Sequence, residues 1–250
     1  MKADYLLLAQ TGFAVLTILC LVFLSMGIKS TFLRMGLSPQ KATQKTWVLT
    51  ALLVGWLGVV SVLALTGFMG NFELAPLNMI PAILPPLIAV LLVTFHPKTQ
   101  SFIDHLPAKG LLVLQVFRVP VEIFLWWLFL ANALPARMTF EGTNWDVLSG
   151  LAGPVFATLC FGAGRHHHKL ATIYNVLGLA LLLNIVLNGI LTLPTPFQAF
   201  HDAPGALIMT QFPVMVLPTF LVPLAYALHA FSLRKAWLAR KHPSLSKMAS

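Results

Sequence analysis

Residues 117–146 read FRVPVEIFLWWLFLANALPARMTFEGTNWD, and this stretch decides how the rest of the chain is understood. Its first half is an apolar helix that carries two charges, Arg118 and Glu122. Its second half is a short loop holding Arg137, Glu141, Asn144 and Asp146. A spacing of four residues puts Arg118 and Glu122 on one helix face. A lone arginine at the centre of a bilayer costs about 2.5–3.5 kcal/mol on insertion scales. The two charges are therefore expected to pair with each other. Pro120, between them, lacks an N–H and frees the Val116 carbonyl as a further acceptor for the guanidinium.

Outside this stretch the chain is close to continuous hydrocarbon. It is 58% hydrophobic and 9% charged, where soluble domains carry about 25% charged residues. Crossing a bilayer takes about 20 apolar residues of helix. Runs at about 5–28, 46–68, 78–95, 110–131, 146–162, 171–193 and 207–232 approach or meet that length. The expected fold is all-α: a polytopic transmembrane bundle of seven helices, one domain over 1–250, with a short basic tail at 233–250. The first run is too long for a signal peptide's apolar core and no small-x-small cleavage pattern closes it, so it is read as a retained helix.

Charge placement orients the bundle. With seven crossings, thirteen of the 16 Lys and Arg fall on one side, Lys2 and Arg137 on the other, and Arg118 within a helix. By the positive-inside bias the amino end is outside and the carboxyl end cytoplasmic. The net charge of +9 is spread over short loops that face lipid headgroups, and no basic face exists for nucleic acid. Cys20 and Cys160 both lie inside apolar runs, so no disulfide framework is implied.

A faint internal repeat would fit a 3+1+3 arrangement, the alternative being chance likeness between apolar helices. Pro85 and His96 are eleven residues apart, as are Pro218 and His229, and Gly12–Cys20 is echoed by Gly153–Cys160 with the spacing off by one.

Polar residues in so apolar a chain are the candidates for chemistry. Arg118 and Glu122 suggest a cavity for an anion, a proton or a polar head group; the structural alternative is a self-satisfied pair that fixes packing. Glu141, Asn144 and Asp146 gather oxygens on the outer face, although Asp146 or Asn144 also suits a helix cap. Asn184 and Asn188 share a face of the sixth helix, and His201 sits in the neighbouring outer loop. His96 and His229 are assigned to helix ends at the interface. Pro213, Pro218 and Pro223 bend the seventh helix, a feature shared with many transport sites. No nucleotide, zinc-protease or nucleophile-elbow motif is present, so no cofactor or metal is expected. Expected partners are membrane lipid and a small-molecule ligand.

FRVPVE, MTFEGTNWD and FPVMVLPTFLVPLAYALHAFSLRK resemble a family of bacterial seven-helix integral membrane proteins with no assigned activity. The likeness covers roughly the carboxyl-terminal half and implies a bacterial inner-membrane location. The leading expectation is binding or transport of a small polar or anionic solute around the fourth helix. The alternatives are a membrane-embedded enzyme acting on a lipid or isoprenoid, and a structural or assembly partner.

Overall fold

The structure is a computed structural model that describes residues 1–241. Among the described residues there are nine α-helices and no strand. Helices α1 (Lys2–Arg34) and α2 (Pro39–Leu65) form an antiparallel hairpin. Both outrun their apolar segments because Lys, Arg and Gln are good helix formers. The turn comes at Gly36, whose φ of 82° suits glycine, and Pro39 starts α2 with its φ already helical.

Helix α3 (Ile80–Phe95) leads through a short 3-10 turn into α4 (Gln100–His105), with a 73° bend between α3 and the 97–105 segment. Next come α5 (Ala108–Val113), a 3-10 turn at Leu114–Phe117, and α6 (Arg118–Leu130), which together make one 23-residue span. The tightened turn falls where Pro120 leaves Val116 without its helical donor. Helices α7 (Val147–Phe161) and α8 (His168–Thr192) follow, then a π-helical turn at Leu217–Leu221 running into α9 (Val222–Lys241).

The last element departs from the helix expected over 207–232. Residues Leu207–Thr210 form a 3-10 turn, the Phe212–Pro213 peptide is cis, and helix continues to Lys241. Three prolines in eleven residues delay a regular start, and the basic residues after 232 extend the helix because nothing there breaks it. The expected tail is thus helical as far as Lys241, and residues 242–250 lie outside the described residues.

Among the described residues, four spans are long and apolar enough to cross a membrane (α1, α2, α5–α6 and α8), or five if bent α3–α4 counts as one. This marks a membrane-associated chain. α7 is apolar but shorter.

The α5–α6 span is central: α6 packs on α1 and α7, and α5 on α7 and α9. α8 lies against α7 and α9, and α3 against α9. α2 is peripheral, burying only Ala42, Thr46 and Val60 while Trp47, Leu52, Val59, Val62 and Leu65 stay exposed. Its side chain Trp56 donates Nε1–H to the Thr219 carbonyl at 3.1 Å. That carbonyl is the one Pro223 leaves without a helical donor.

The Pro85–His96 and Pro218–His229 spacings end in different surroundings. His96 is exposed, its Nδ1 accepting from the Lys98 amide, whereas His229 is fully buried.

Candidate functional site: an arginine knot beside a carboxyl-walled cavity

Three glycines bring the helices of the site together. A Cβ on Gly153 of α7 would lie 2.6 Å from the Leu112 carbonyl of α5, and one on Gly150 would lie 3.0 Å from Val119. A Cβ on Gly178 of α8 would lie 2.5 Å from the His229 ring and 2.7 Å from Ser149 Oγ. Backbones therefore approach closely around the start of α6, as small residues allow in membrane bundles.

Arg118 is 2% exposed at this crossing. Its Nε donates to Asp146 Oδ2 at 2.6 Å, and Nη2 pairs with Asp146 Oδ1. Nη1 donates to Ser149 Oγ at 2.7 Å and to His229 Nε2 at 2.9 Å, while Nη2 also reaches the Gly178 carbonyl at 3.4 Å. The five N–H groups of the guanidinium are thereby all used. Arginine only donates, so Nε2 of His229 must accept, and the imidazole proton sits on Nδ1, which donates to Asn175 Oδ1 at 2.8 Å. Asn175 in turn donates to the Ala171 carbonyl and to Ser232 Oγ, at 2.6 and 2.8 Å. The chain of bonds ties α6, α7, α8 and α9.

The expected Arg118–Glu122 pair is corrected by this geometry: Asp146 takes the arginine instead. A bidentate carboxylate matches the guanidinium fork, which a glutamate one turn along the same helix reaches less well. Asp146 occupies the N-cap position of α7, yet its side chain makes no cap hydrogen bond because both oxygens are on Arg118. His229 is likewise no interfacial residue.

Glu122, 2% exposed, faces elsewhere. Its Oε2 accepts a short hydrogen bond from Asn144 Nδ2, whose own Oδ1 accepts from the Asp146 amide at 3.1 Å. The Phe140 amide also lies near the carboxyl, yet Oε1 completes no hydrogen bond. Glu122, Asn144 and Asp146 form a polar strip on the wall of a cavity of about 800 Å³, within the range of small-molecule sites. The rest of the wall is almost wholly apolar, supplied by α3, α6, α8 and α9, and includes Ile83, Leu125, Leu182, Val186 and Tyr226. It follows α3 from Met79 to Phe95, about 24 Å at the helical rise. Its rim residues Leu91, Phe95 and Ile190 are exposed, so it opens sideways as a groove.

The other candidates hold the loop rather than the cavity. Asn184 Nδ2 donates to the Thr143 carbonyl at 2.7 Å. Asn188 donates back to Asn184 and its Oδ1 accepts from Thr143 at 3.4 Å. Exposed Glu141 accepts from Trp126 Nε1 at 2.6 Å. His201 is exposed and lines no part of the cavity, while its neighbour Asp202 binds Arg137 Nε at 2.6 Å. No three His, Cys, Asp or Glu side chains gather as metal ligands among the described residues.

Ser149 and Asn175 matter here and are not among the residues the sequence singles out, while His229, placed by the sequence at an interfacial helix end, belongs to the buried knot. A signal existed: Tyr226, His229 and Ser232 recur every three residues in an apolar helix, which is one face.

A family model for a domain of unknown function (DUF8737) matches residues 80–237. The chain belongs to that family. The DUF8737 segment contains the whole arginine knot and every cavity-lining residue except Met79, while α1 and α2 precede it. No curated protein and no solved structure matches the chain.

Proposed function

We propose that this DUF8737 protein binds an amphipathic, lipid-like molecule in the groove between α3, α6, α8 and α9, with a hydrogen-bond donor of that molecule on Glu122. The observation that carries this reading is the buried Oε1 of Glu122, unpartnered within the protein on the wall of an apolar cavity. An unmet buried polar group costs about 1–3 kcal/mol, more when charged, so a hydroxyl or amine arriving there gains what the protein leaves unsatisfied. Bulk hydrocarbon fills a groove without relieving that carboxyl.

At the Glu122 end of the groove the same geometry moves the reading away from a small anion. Arg118, the group such a solute needs, has given all its donors to the protein. What the wall offers beside Glu122 is a second carboxylate, Asp146.

The surrounding frame belongs to the same proposal. Helices α1, α2, α3, α5–α6, α7, α8 and α9 make seven crossings of a bacterial inner membrane, amino end outside and carboxyl end cytoplasmic. The support is the one-sided distribution of Lys and Arg.

The test is native mass spectrometry and lipid extraction of the purified full-length protein. Wild type should carry a bound amphipath. Glu122→Gln should lose at least about tenfold in occupancy, equivalent to about 1.4 kcal/mol, with the fold intact. Val186→Trp, which fills the groove, should strip it. Equal occupancy in all three proteins overturns the reading.

A further inference from the structure

The groove has a second polar pole. Arg234, on α9, lines its far end together with Phe95, Leu233 and Trp237. Its Nε is buried and has no hydrogen-bond partner in the protein, and its guanidinium lies over the Trp237 ring, 4.2 Å from the centroid. Tyr226 and Arg234 both line the cavity eight residues apart on one helix, so the wall continues about 12 Å from the level of Tyr226 to the arginine. Glu122 stands toward the other end, beside Asn144 and Met138. The Arg234 end is also the basic end of the bundle: the adjacent Lys235 donates to the Asp104 carbonyl, and Arg34 is close enough to act on Lys235.

Resting on the lipid-binding reading above, we infer that the occupant is an anionic lipid whose oxyanion head sits on Arg234 and whose chain runs along α3 toward Glu122. A guanidinium presents a planar fork of N–H groups that fits phosphate or carboxylate oxygens. Stacking on an indole holds that fork in one orientation without consuming its donors. The apolar wall between the poles takes the chain, and the group that meets Glu122 is a second polar function remote from the head. This gives the ligand a direction, head toward the basic end, and a class: a lipid polar at two points.

The experiment uses full-length protein in detergent, titrated in native mass spectrometry with phosphatidylglycerol, phosphatidylcholine and palmitate. Wild type should prefer phosphatidylglycerol over phosphatidylcholine by about tenfold, the factor that corresponds to about 1.4 kcal/mol. Arg234→Gln should erase the preference, Arg234→Lys should keep part of it, and Lys98→Gln, which removes an exposed charge just beyond Phe95, should keep all of it. Strong palmitate competition identifies a carboxylate head and its absence a phosphate one; both support an oxyanion on Arg234. An unchanged preference in Arg234→Gln overturns the inference, as does an unchanged preference in Arg234→Lys should the glutamine variant fail to fold. The underlying reading fails differently: Val186→Trp then retains all its lipid, whatever Arg234 does.

Discussion

Arg118 and Glu122 are four residues apart and do opposite jobs. Every donor of Arg118 is taken by Asp146, Ser149, His229 and Gly178. Removing it leaves a buried carboxylate and a buried imidazole acceptor unmet. Breaking a buried pair in this way costs about 3–5 kcal/mol, so Arg118→Ala should lower the unfolding temperature sharply in detergent or yield no folded protein. Glu122→Gln is the contrasting case. The glutamine keeps an oxygen for Asn144 and replaces only the oxygen that completes no hydrogen bond, so thermal unfolding should stay close to wild type while lipid occupancy falls. Two near neighbours, one needed to hold the helices and one needed to hold the ligand, would be separated by that pair of measurements.

Among the elements, the glycines give a sharper test than the charges. A methyl on Gly178 meets the His229 ring and Ser149 Oγ at under 3 Å, while one on Gly55 of α2 meets nothing within 4 Å. Gly178→Ala should therefore destabilise by about 1–3 kcal/mol, the usual cost of overpacking. Gly55→Ala should be neutral or stabilise by about 0.5–1 kcal/mol through helix entropy. Helix stability measured by thermal unfolding distinguishes the two signs. This difference is not legible in the sequence, where a glycine at a helix crossing and one on an open face look alike. Which helix face meets another helix and which meets lipid is a tertiary fact, and apolar helices are apolar all round. The helices themselves were legible, since long apolar runs admit few other structures. Their ends were not. Basic residues that close a span also favour helix, so α1 and α9 continue past the apolar segment.

At the scale of the molecule, the concentration of scarce polar residues was legible and their partners were not. Asn144 and Asp146 lie in the loop after α6, and Asn175 and His229 are 54 residues apart in sequence. Spacing along one helix pointed Arg118 to Glu122, and the fold instead brought Asp146 from the next element. Orientation can be checked directly. Cys20 and Cys160 are buried, so a membrane-impermeant thiol reagent should find little background in intact cells. Glu141→Cys should label from outside, and Lys98→Cys only after the membrane is opened; the reverse pattern inverts the proposed topology. The exposed face of α2 carries one more consequence. A side chain whose only neighbour is fluid acyl chain has no shape to match, so at Leu52, Val59 or Val62 ancestry can trade one oily residue for another with little penalty. Related chains should thus diverge fastest along that helix in identity while holding its greasiness constant, and Trp56, clasped to a proline-orphaned carbonyl, is where that drift should stop.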